Sequence, residues 1–210
     1  HIEIARRYSP FVYHSTDAAG FRQDLLSNID FDGDLRGNNN WENLAEYQLR
    51  PTVYYAVLES KTHWFVSFHF FHPRDWNHFT IWINDTHEND GENCQVVARK
   101  SDGRVILVWT QAHYRSRTYS PADSGIGSGA MTPKTPCILV NDQGSVLESG
   151  THAAVYVEDE GHGIYGLSDA PEVTIHGGGG VTFRNGGLVY RPASASEPVT
   201  EPGLGGVGVV

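Results

Sequence analysis

The most constraining feature of this sequence is a regular alternation of apolar and polar residues between positions 63 and 70. An alternation with a period of two is typical of a β-strand that buries one face. The run at 53–58 is rich in β-branched and aromatic residues, and residues 59–62 between the two runs predict a turn. A β-hairpin is therefore predicted here, with Pro73-Arg74-Asp75 stopping its second strand and Asp75 at the strand's exit.

Further predicted β-strands follow along the chain. Apolar runs at 95–98 and 104–109 flank Asp102 and Gly103, a dipeptide that favours a tight hairpin turn. Further short apolar runs are separated by glycine-rich segments, and brief helical patterns occur only between residues 17 and 47. Many short strands with few helices predict an all-β fold, a single-domain, jelly-roll-like β-sandwich with a few short helices.

The predicted domain covers residues 1–210 and has three parts. Residues 1–50 are expected to form an N-terminal strand over residues 6–14 and short helices, one that Asp17 caps and that runs through Leu25 and Leu26, and one over residues 41–47. Residues 51–165 are expected to form the core that carries the metal site described below, and residues 166–210 glycine-rich C-terminal strands.

Charge and composition exclude several classes of function. Asp and Glu total 25 against 15 Lys and Arg, a formal net charge of −10, so nucleic acid is not expected as a partner. An acidic surface also repels anionic bilayers unless a cation bridges the two. No run approaches the roughly 18 apolar residues that a membrane-crossing helix needs.

Several features favour a secreted protein. The first four residues, His-Ile-Glu-Ile, lack the charged head and apolar segment of a signal peptide, so any such peptide is expected to have been removed. A glycosylation sequon at Asn84 points the same way. Cys94 and Cys137 could form one disulfide or remain two buried thiols, and the sequence leaves both alternatives open.

A short segment after residue 86 carries three side chains that can bind metal. His87, Asp90 and Glu92 lie within six positions, and in an extended or irregular segment they can converge on one point. Ligands rich in carboxylate oxygen favour Ca²⁺ or Mg²⁺, with Mn²⁺ also suited, over Zn²⁺. The alternative is an acidic, hydrated turn.

The motif order around this segment carries a family resemblance. Phe70-Phe71-His72-Pro73-Arg74-Asp75 followed by His87-x-x-Asp90-x-Glu92 resembles the necrosis- and ethylene-inducing-peptide-like proteins. Those cytolysins have a strand ending in Pro-Lys-Asp, then Gly-His-Arg-His-Asp-Trp-Glu. The chain also resembles the related vacuolar protein sorting-associated protein 62 family, whose motif is His-Glu-Gly-Asp-Trp-Glu, followed by Ser-x-His and Gly-Ser-His-Ala. The corresponding residues here are His87-Glu88-Asn89-Asp90-Gly91-Glu92, Gln111-Ala112-His113 and Gly150-Thr151-His152-Ala153.

The resemblance covers about residues 50–165 and implies a β-sandwich that holds one divalent cation in a surface groove. The metal-binding positions that it implies are Asp75, His87, Asp90 and Glu92, with His152 reaching the ion through water. The chain departs from the motif at three positions, where Gly91 replaces a Trp, Asn89 replaces a His and Thr86 replaces a Gly.

Three functions are compatible with these residues. The favoured one is a secreted, divalent-metal-dependent binding protein that recognises a glycan or a glycolipid headgroup at a membrane surface, in the manner of a cytolysin. The second is a metal-dependent hydrolase or lyase that activates water, with His113 or His152 as the general base and Glu88 as a weaker candidate. The third is a copper polysaccharide oxygenase that uses His1.

Some of these histidines also have simpler interpretations. His113 and His152 fit ordinary strand-end histidines bonded to the backbone. His162, between two glycines, is predicted to be a mobile loop residue rather than a ligand.

Overall fold

A computed structural model describes residues 1–77, 86–121, 135–177, 180–193 and 207–209. The described segments contain two short α-helices, one 3₁₀-helix and fourteen β-strands. They are α1 (Ile2–Tyr8), β1 (Phe11–Ser15), α2 (Asn40–Asn43), β2 (Val53–Glu59), β3 (His63–Asp75), β4 (His87–Arg99), β5 (Val105–Ala112), β6 (Arg115–Ser120), β7 (Thr135–Pro136), β8 (Leu139–Val140), β9 (His152–Val157), β10 (Ile164–Gly166), the 3₁₀-helix Leu167–Asp169, β11 (Val173–Ile175), β12 (Val181–Phe183), β13 (Gly187–Tyr190) and β14 (Val207–Val209).

The strands form two main sheets. The larger sheet has seven strands in the order β14-β2-β3-β4-β5-β6-β7, and the smaller has the order β10-β9-β1-β13 with β8 also paired to β9. Neighbours are antiparallel except for β1 with β9 and β6 with β7, and β11 pairs with β12 as a separate hairpin. The predicted all-β, sandwich-like fold class is confirmed.

The hydrophobic core lies on the predicted face of the long strands. Val66, Phe68 and Phe70 of β3 are buried, and they share one cluster with Val96 of β4 and Val155 of β9. The cluster therefore joins residues of both sheets. Burial of such aromatic and aliphatic side chains is the main force that holds sheets together in folds of this kind.

Strand β3 has Asp75 at its exit, as predicted, but Pro73 and Arg74 do not stop it. The pairs His72↔Asp90 and Arg74↔Glu88 continue the ladder on either side of Pro73. The pairing of β2 with β3 stops at Phe70. A proline is tolerated there because no strand in the described part of the chain pairs with the other side of β3 beyond Phe70.

The N-terminal region also differs from the prediction. Residues 6 and 7 lie in helix α1, and the first strand begins only at Phe11. The predicted helix from Asp17 to Leu26 is wrong, because these residues form turns. Asp24 accepts a hydrogen bond from the Asp17 backbone N–H at 2.8 Å, which closes this loop without a helix.

The structure describes both cysteines but not the glycosylation sequon. Cys94 is buried, Cys137 is partly buried, and both are free thiols, which decides between the alternatives left open above. Asn84 of the sequon lies outside the described residues. In the part of the chain that the structure describes, no helix has the length and apolar character needed to cross a membrane.

Candidate metal centre

Asp75, His87 and Asp90 lie close together where strand β3 ends and strand β4 begins. Asp75 pairs with His87 in the ladder, and each of the three residues offers a ligand atom that lies within 4.8 Å of the other two. His87 Nε2 is 3.5 Å from Asp75 Oδ2. The side chain of His87 is 55% exposed, whereas Asp90 is buried, so the group opens to solvent on one side. We call these three residues the outer group.

The backbone conformation of Asn89 allows His87 and Asp90, three positions apart in one strand, to reach the same point. In a regular strand His87 and Asp90 would face opposite sides of the sheet. Asn89 has a φ of 62°, a left-handed conformation that interrupts the alternation and that Asn tolerates better than most residues. Its side chain donates to Gly37 O and accepts from Asn40 Nδ2 at 2.8 Å. Gly37, which precedes α2, and Asn40, which begins it, therefore hold Asn89 in place between His87 and Asp90.

Glu92 lies beside the outer group on the buried face of β4. Its Oε1 accepts a hydrogen bond from the His113 backbone N–H at 2.7 Å, and its buried Oε2 has no hydrogen-bond partner among the described residues. Burial, opposed by the His113 hydrogen bond and reinforced by the nearby Asp90 carboxylate, raises the pKa of Glu92 to about 7. A buried carboxylate oxygen without a partner, next to a second carboxylate, fits a bound cation.

His113 occupies the turn between β5 and β6, in a left-handed conformation with φ 54°. Its Nε2 lies 2.8 Å from Glu158 Oε1, and this hydrogen bond is the main reason that the pKa of His113 is raised. The ring packs so closely on Gly161 that a Cβ at that position would lie 2.6 Å from its Cε1. His113 is therefore held rigidly beside Glu92.

Backbone strain is concentrated around these side chains. In the described segments, four residues other than glycine have positive φ: Asn89, His113, Glu160 and His162. Asn89 adjoins Asp90, and His113 and His162 hydrogen-bond to Glu92 and Asp90. Such conformations cost about 1–3 kcal/mol each and are enriched at functional sites.

The prediction that His162 is a mobile loop residue is wrong. His162 is completely buried, its Nδ1 lies 2.8 Å from Asp90 Oδ2, and its Nε2 lies 3.5 Å from Asp24 Oδ1. Burial alone would lower its pKa, but the bonds to Asp24 and Asp90 outweigh burial and raise the pKa to about 9. His162 thus carries a proton between two carboxylates and orients Asp90.

Two more buried histidines, which the sequence did not identify, adjoin His162. The His72 and His162 rings stack with centroids 3.8 Å apart, and His14 Nε2 lies 2.9 Å from His72 Nε2. A signal existed for His72, because it continues the buried alternation of Val66, Phe68 and Phe70. No comparable pattern marks Asp24 or His14.

The structure does not bring His152 to this centre. His152 begins β9, whereas His14 pairs with Val157 at the far end of that strand, about 17 Å away at about 3.3 Å per residue. The His152 ring nitrogens lie 2.6 Å from Ser9 O and 3.0 Å from Asp142 Oδ1. His152 therefore has the structural role that its simpler interpretation predicted.

His1 also lies outside the centre. It is exposed and precedes helix α1. Neither of the two potential metal-binding groups found in the described residues contains His1. No observation in the structure therefore favours the copper oxygenase.

No protein-family profile and no curated protein sequence matches the chain. Several solved structures are similar to it. One, described as "Toxin fold for microbial attack and plant defense", has a TM-score of 0.49 and 14% sequence identity, over 80% of this chain and 68% of that one. NLPPya in complex with glucosamine has a TM-score of 0.47 and 15% identity, over 80% and 67%. NLPPya in complex with mannosamine has a TM-score of 0.45 and 14% identity, with the same coverage.

Proposed function

We propose that this chain is a secreted protein that uses a divalent cation to bind a glycan or a glycolipid headgroup, with cytolysin-like action at a membrane surface. The observation that carries the proposal is the convergence of Asp75, His87 and Asp90, which opens to solvent at one end of the larger sheet. A cation held there would remain accessible to an external ligand.

The ligand chemistry favours a hard cation. Asp75 and Asp90 would supply carboxylate oxygens and His87 a single nitrogen. Glu92 does not belong to the group of converging ligand atoms, but its buried Oε2 has no hydrogen-bond partner among the described residues and could reach a bound ion from the buried side. This oxygen-rich set suits Ca²⁺ or Mg²⁺, and also Mn²⁺. In a protein with a formal net charge of −10, the ion would supply the local positive charge that sugar hydroxyls or a lipid phosphate require.

Exposed aromatic rings lie near the outer group. Trp41, which is 42% exposed, donates its backbone N–H to Glu88 Oε1 at 2.7 Å, and Glu88 is the neighbour of His87. The Arg74 guanidinium lies 3.1 Å from the centroid of the Trp41 ring, and both residues line a surface cavity together with the exposed Phe21. Tyr114, beside His113, is fully exposed. Flat, exposed rings of this kind offer a surface on which a sugar can stack.

Cation binding is tested by calorimetric titration of chelator-treated protein with Ca²⁺ and Mg²⁺. We expect one site in the wild type and its loss in His87→Ala and Asp75→Asn. His63→Ala is the matched control, because His63 begins the same strand β3 and its ring contacts Thr62. Stoichiometric, undiminished binding in both site variants would refute the outer group as the cation site.

Ligand binding is tested separately. Glucosamine, mannosamine and phosphatidylcholine vesicles with or without a glycosylceramide are suitable probes, each measured with Ca²⁺ and with chelator. We expect cation-dependent binding or vesicle leakage, weakened by Trp41→Ala while cation affinity is unchanged. Binding and leakage that are equal with chelator and with Ca²⁺ would contradict the proposed mechanism.

A second candidate function is supported by the contact between His113 and Glu158. A histidine oriented by a carboxylate at 2.8 Å, close to a potential metal site, is the arrangement expected of a general base in a metal-dependent hydrolase or lyase. Cation-dependent turnover of ester, peptide or phosphodiester substrates that is abolished by His113→Ala, with cation binding intact, would favour this function over simple binding.

A further inference from the structure

Two rows of side chains cross the face of the larger sheet that points away from the smaller sheet. The first row, in which the strand register pairs every neighbour, consists of Ala56, Ser67, Gln95, Trp109 and Thr118. The second row, joined by register and side-chain contacts, consists of Tyr54, His69, Asn93, Gln111 and Ser116. Neither hydrophobic cluster contains any of these residues. We call the two rows the amide face.

We propose that the amide face binds an uncharged, extended glycan chain of the β-linked, cellulose-like type, lying across the strands. This site is separate from the outer group. Ser67 precedes Asp75 by eight residues in β3, about 26 Å along the strand at about 3.3 Å per residue. The inference does not depend on the proposed cation-dependent function, because no residue of the amide face belongs to the outer group.

Hydrogen bonds hold the polar side chains of the amide face in fixed positions. His69 Nδ1 lies 3.0 Å from Asn93 Oδ1, and Asn93 Nδ2 donates to Gln111 Oε1 at 3.0 Å. In the other row, Gln95 Nε2 donates to Ser67 Oγ at 2.9 Å. Side chains that are already ordered lose little conformational entropy when a ligand binds, and this favours affinity.

These bonds leave further donors and acceptors for a ligand. A primary amide has two N–H donors, and Asn93 and Gln95 each use one of them within the face. Among the described residues, neither Gln95 Oε1 nor the Trp109 indole N–H has a hydrogen-bond partner, and neither is a buried atom. Both groups therefore face solvent. Sugar hydroxyls both donate and accept, so they match this mixture of donors and acceptors.

Trp109 places an aromatic ring among these amides. It pairs with Gln95 of β4 on one side and with Thr118 of β6 on the other, and it is partly exposed. One side of a sugar ring consists of C–H groups that pack on an indole, while its hydroxyls remain free to bond to neighbouring amides. The combination of a ring and flanking amides therefore suits a sugar better than a wholly apolar ligand.

Charge and spacing identify the class of glycan. The amide face contains no Asp, Glu, Lys or Arg, so it offers an ionic polymer no ion pair, and the net charge of −10 repels acidic chains. Strands lie about 4.8 Å apart, so a row that crosses five strands is about 19 Å long. One sugar of an extended β-linked chain is about as long as one strand spacing. Successive sugars would therefore meet successive strands, whereas a curled α-linked chain would not.

Gly91 leaves room for the second row. A Cβ at position 91 would lie 2.5 Å from His69 Cε1, so a side chain there would move His69 away from Asn93. The resembling motif has Trp at this position. The departure of this chain from the motif at Gly91 is therefore compatible with the amide face, and the motif residue is not.

Calorimetric titration in the presence of a chelator tests the proposal, with cellohexaose, xylohexaose and N-acetylchitohexaose as probes. We expect at least one of the three to bind wild-type protein, and maltohexaose and an oligogalacturonate to bind much more weakly. Trp109→Ala should weaken the binding at least about tenfold, the loss expected of a central tryptophan in a binding surface. Trp109→Tyr keeps a flat ring and should lose less.

Gln95→Ala provides a second test if circular dichroism shows that Trp109→Ala does not fold. Removal of the Gln95 amide should weaken binding of the same hexasaccharide about three- to tenfold, as expected for the loss of one or two hydrogen bonds. Gln143→Ala is the matched control, because Gln143 is an exposed glutamine in the turn after β8. Its affinity should equal that of the wild type.

The amide face and the outer group can be separated with variants that touch only one of them. His87→Ala should lose Ca²⁺ and bind the hexasaccharide as the wild type does. Trp109→Ala should lose the hexasaccharide and keep Ca²⁺. This opposite pattern in the two variants would establish two independent sites.

Four results would overturn the proposal. Folded wild-type protein could bind none of the three β-linked hexasaccharides. Binding could require Ca²⁺ and disappear in His87→Ala, which would assign it to the outer group. Trp109→Ala and Gln95→Ala could both bind as tightly as the wild type. Finally, sedimentation could show a dimer that Gln95→Ala dissociates, which would make a second copy of the chain the occupant of the face.

Discussion

Asp24 connects more parts of the site than any predicted ligand does. Its buried carboxylate accepts hydrogen bonds from the Asp17 and Glu160 backbones and from the Trp76 indole, and it faces His162. The Trp76 and Glu160 partners are 52 and 136 residues away in the sequence. The residues next to Asp24 therefore give no indication of its role.

We expect Asp24→Ala to be strongly destabilising. It leaves the buried His162 with one carboxylate instead of two and removes three hydrogen bonds, so the free energy of unfolding should fall by about 3–5 kcal/mol. Urea denaturation measures this change. Asp30→Ala, at an exposed position, is the control, and equal unfolding midpoints for the two variants would contradict the central role of Asp24.

Asp159 should make stability depend on pH. Burial, and then the nearby Glu172, raise the pKa of Asp159 from 3.8 to about 6 in the folded protein. The folded state therefore binds this proton more tightly than the unfolded state does, so the contribution of Asp159 to stability is fully present below pH 3.8 and is lost as the pH rises through 6. Asp159→Asn should match the wild type at pH 3.5 and exceed its melting temperature at pH 7.5 by about 2–4 °C. A variant that melts below the wild type at pH 7.5 would contradict this assignment.

At the scale of elements, the paired ends of β3 and β4 show where sequence reasoning succeeds and where it fails. The alternation in β3 correctly predicted its buried face. The grouping of Asp75 with His87 was implied only by the family resemblance. The alternation did not predict that β3 keeps pairing with β4 across Pro73, because that depends on where the neighbouring strand β2 stops pairing. Nor did it predict the left-handed Asn89, which is braced by residues about fifty positions earlier.

Asn89 should determine the affinity of the outer group. Asn89→Ala keeps the Cβ that disfavours the left-handed conformation but removes the amide that is hydrogen-bonded to Gly37 and Asn40, at a cost of about 1–2 kcal/mol. We expect Ca²⁺ affinity to fall about tenfold, since 1.4 kcal/mol corresponds to a factor of ten. Asn89→Gly loses the same side-chain bonds but keeps the conformation, so it should lose less affinity in the same titration. An equal loss in the two variants would show that the side-chain bonds, and not the φ angle, dominate.

At the scale of the whole molecule, the reactivity of the Cys94 thiol depends on the packing of the two sheets. It lies in the shared core with Val96 and Val155, and Cys137 packs against the same cluster. Burial raises the pKa of both thiols, that of Cys137 to about 12, so neither is a thiolate at neutral pH. Thiolate is the reactive form, and both groups should therefore be inert while the sheets stay packed.

Thiol labelling tests this packing. We expect a disulfide-exchange reagent such as DTNB to modify less than one thiol per chain in folded protein and two after denaturation. Pretreatment with a reducing agent should change neither the count nor the melting temperature. Labelling of no thiols in denatured, unreduced protein would instead show that Cys94 and Cys137 are bonded to each other.

The sequence by itself determined the all-β character and the main hairpins, because strand alternation and hairpin pairing are local rules. The grouping of Asp75 with His87 and Asp90 was implied only by the family resemblance, since alternation alone would place His87 and Asp90 on opposite faces of the sheet. Only the tertiary structure decided that His162 contacts Asp90 and Asp24, that His14 contacts His72, and that His152 lies elsewhere. The loop after β9 brings His162 against Asp90 near the beginning of β4, and β1 brings His14 against His72 of β3. Which histidine reaches the carboxylates therefore depends on strand direction, and His152 lies at the opposite end of β9 from His14.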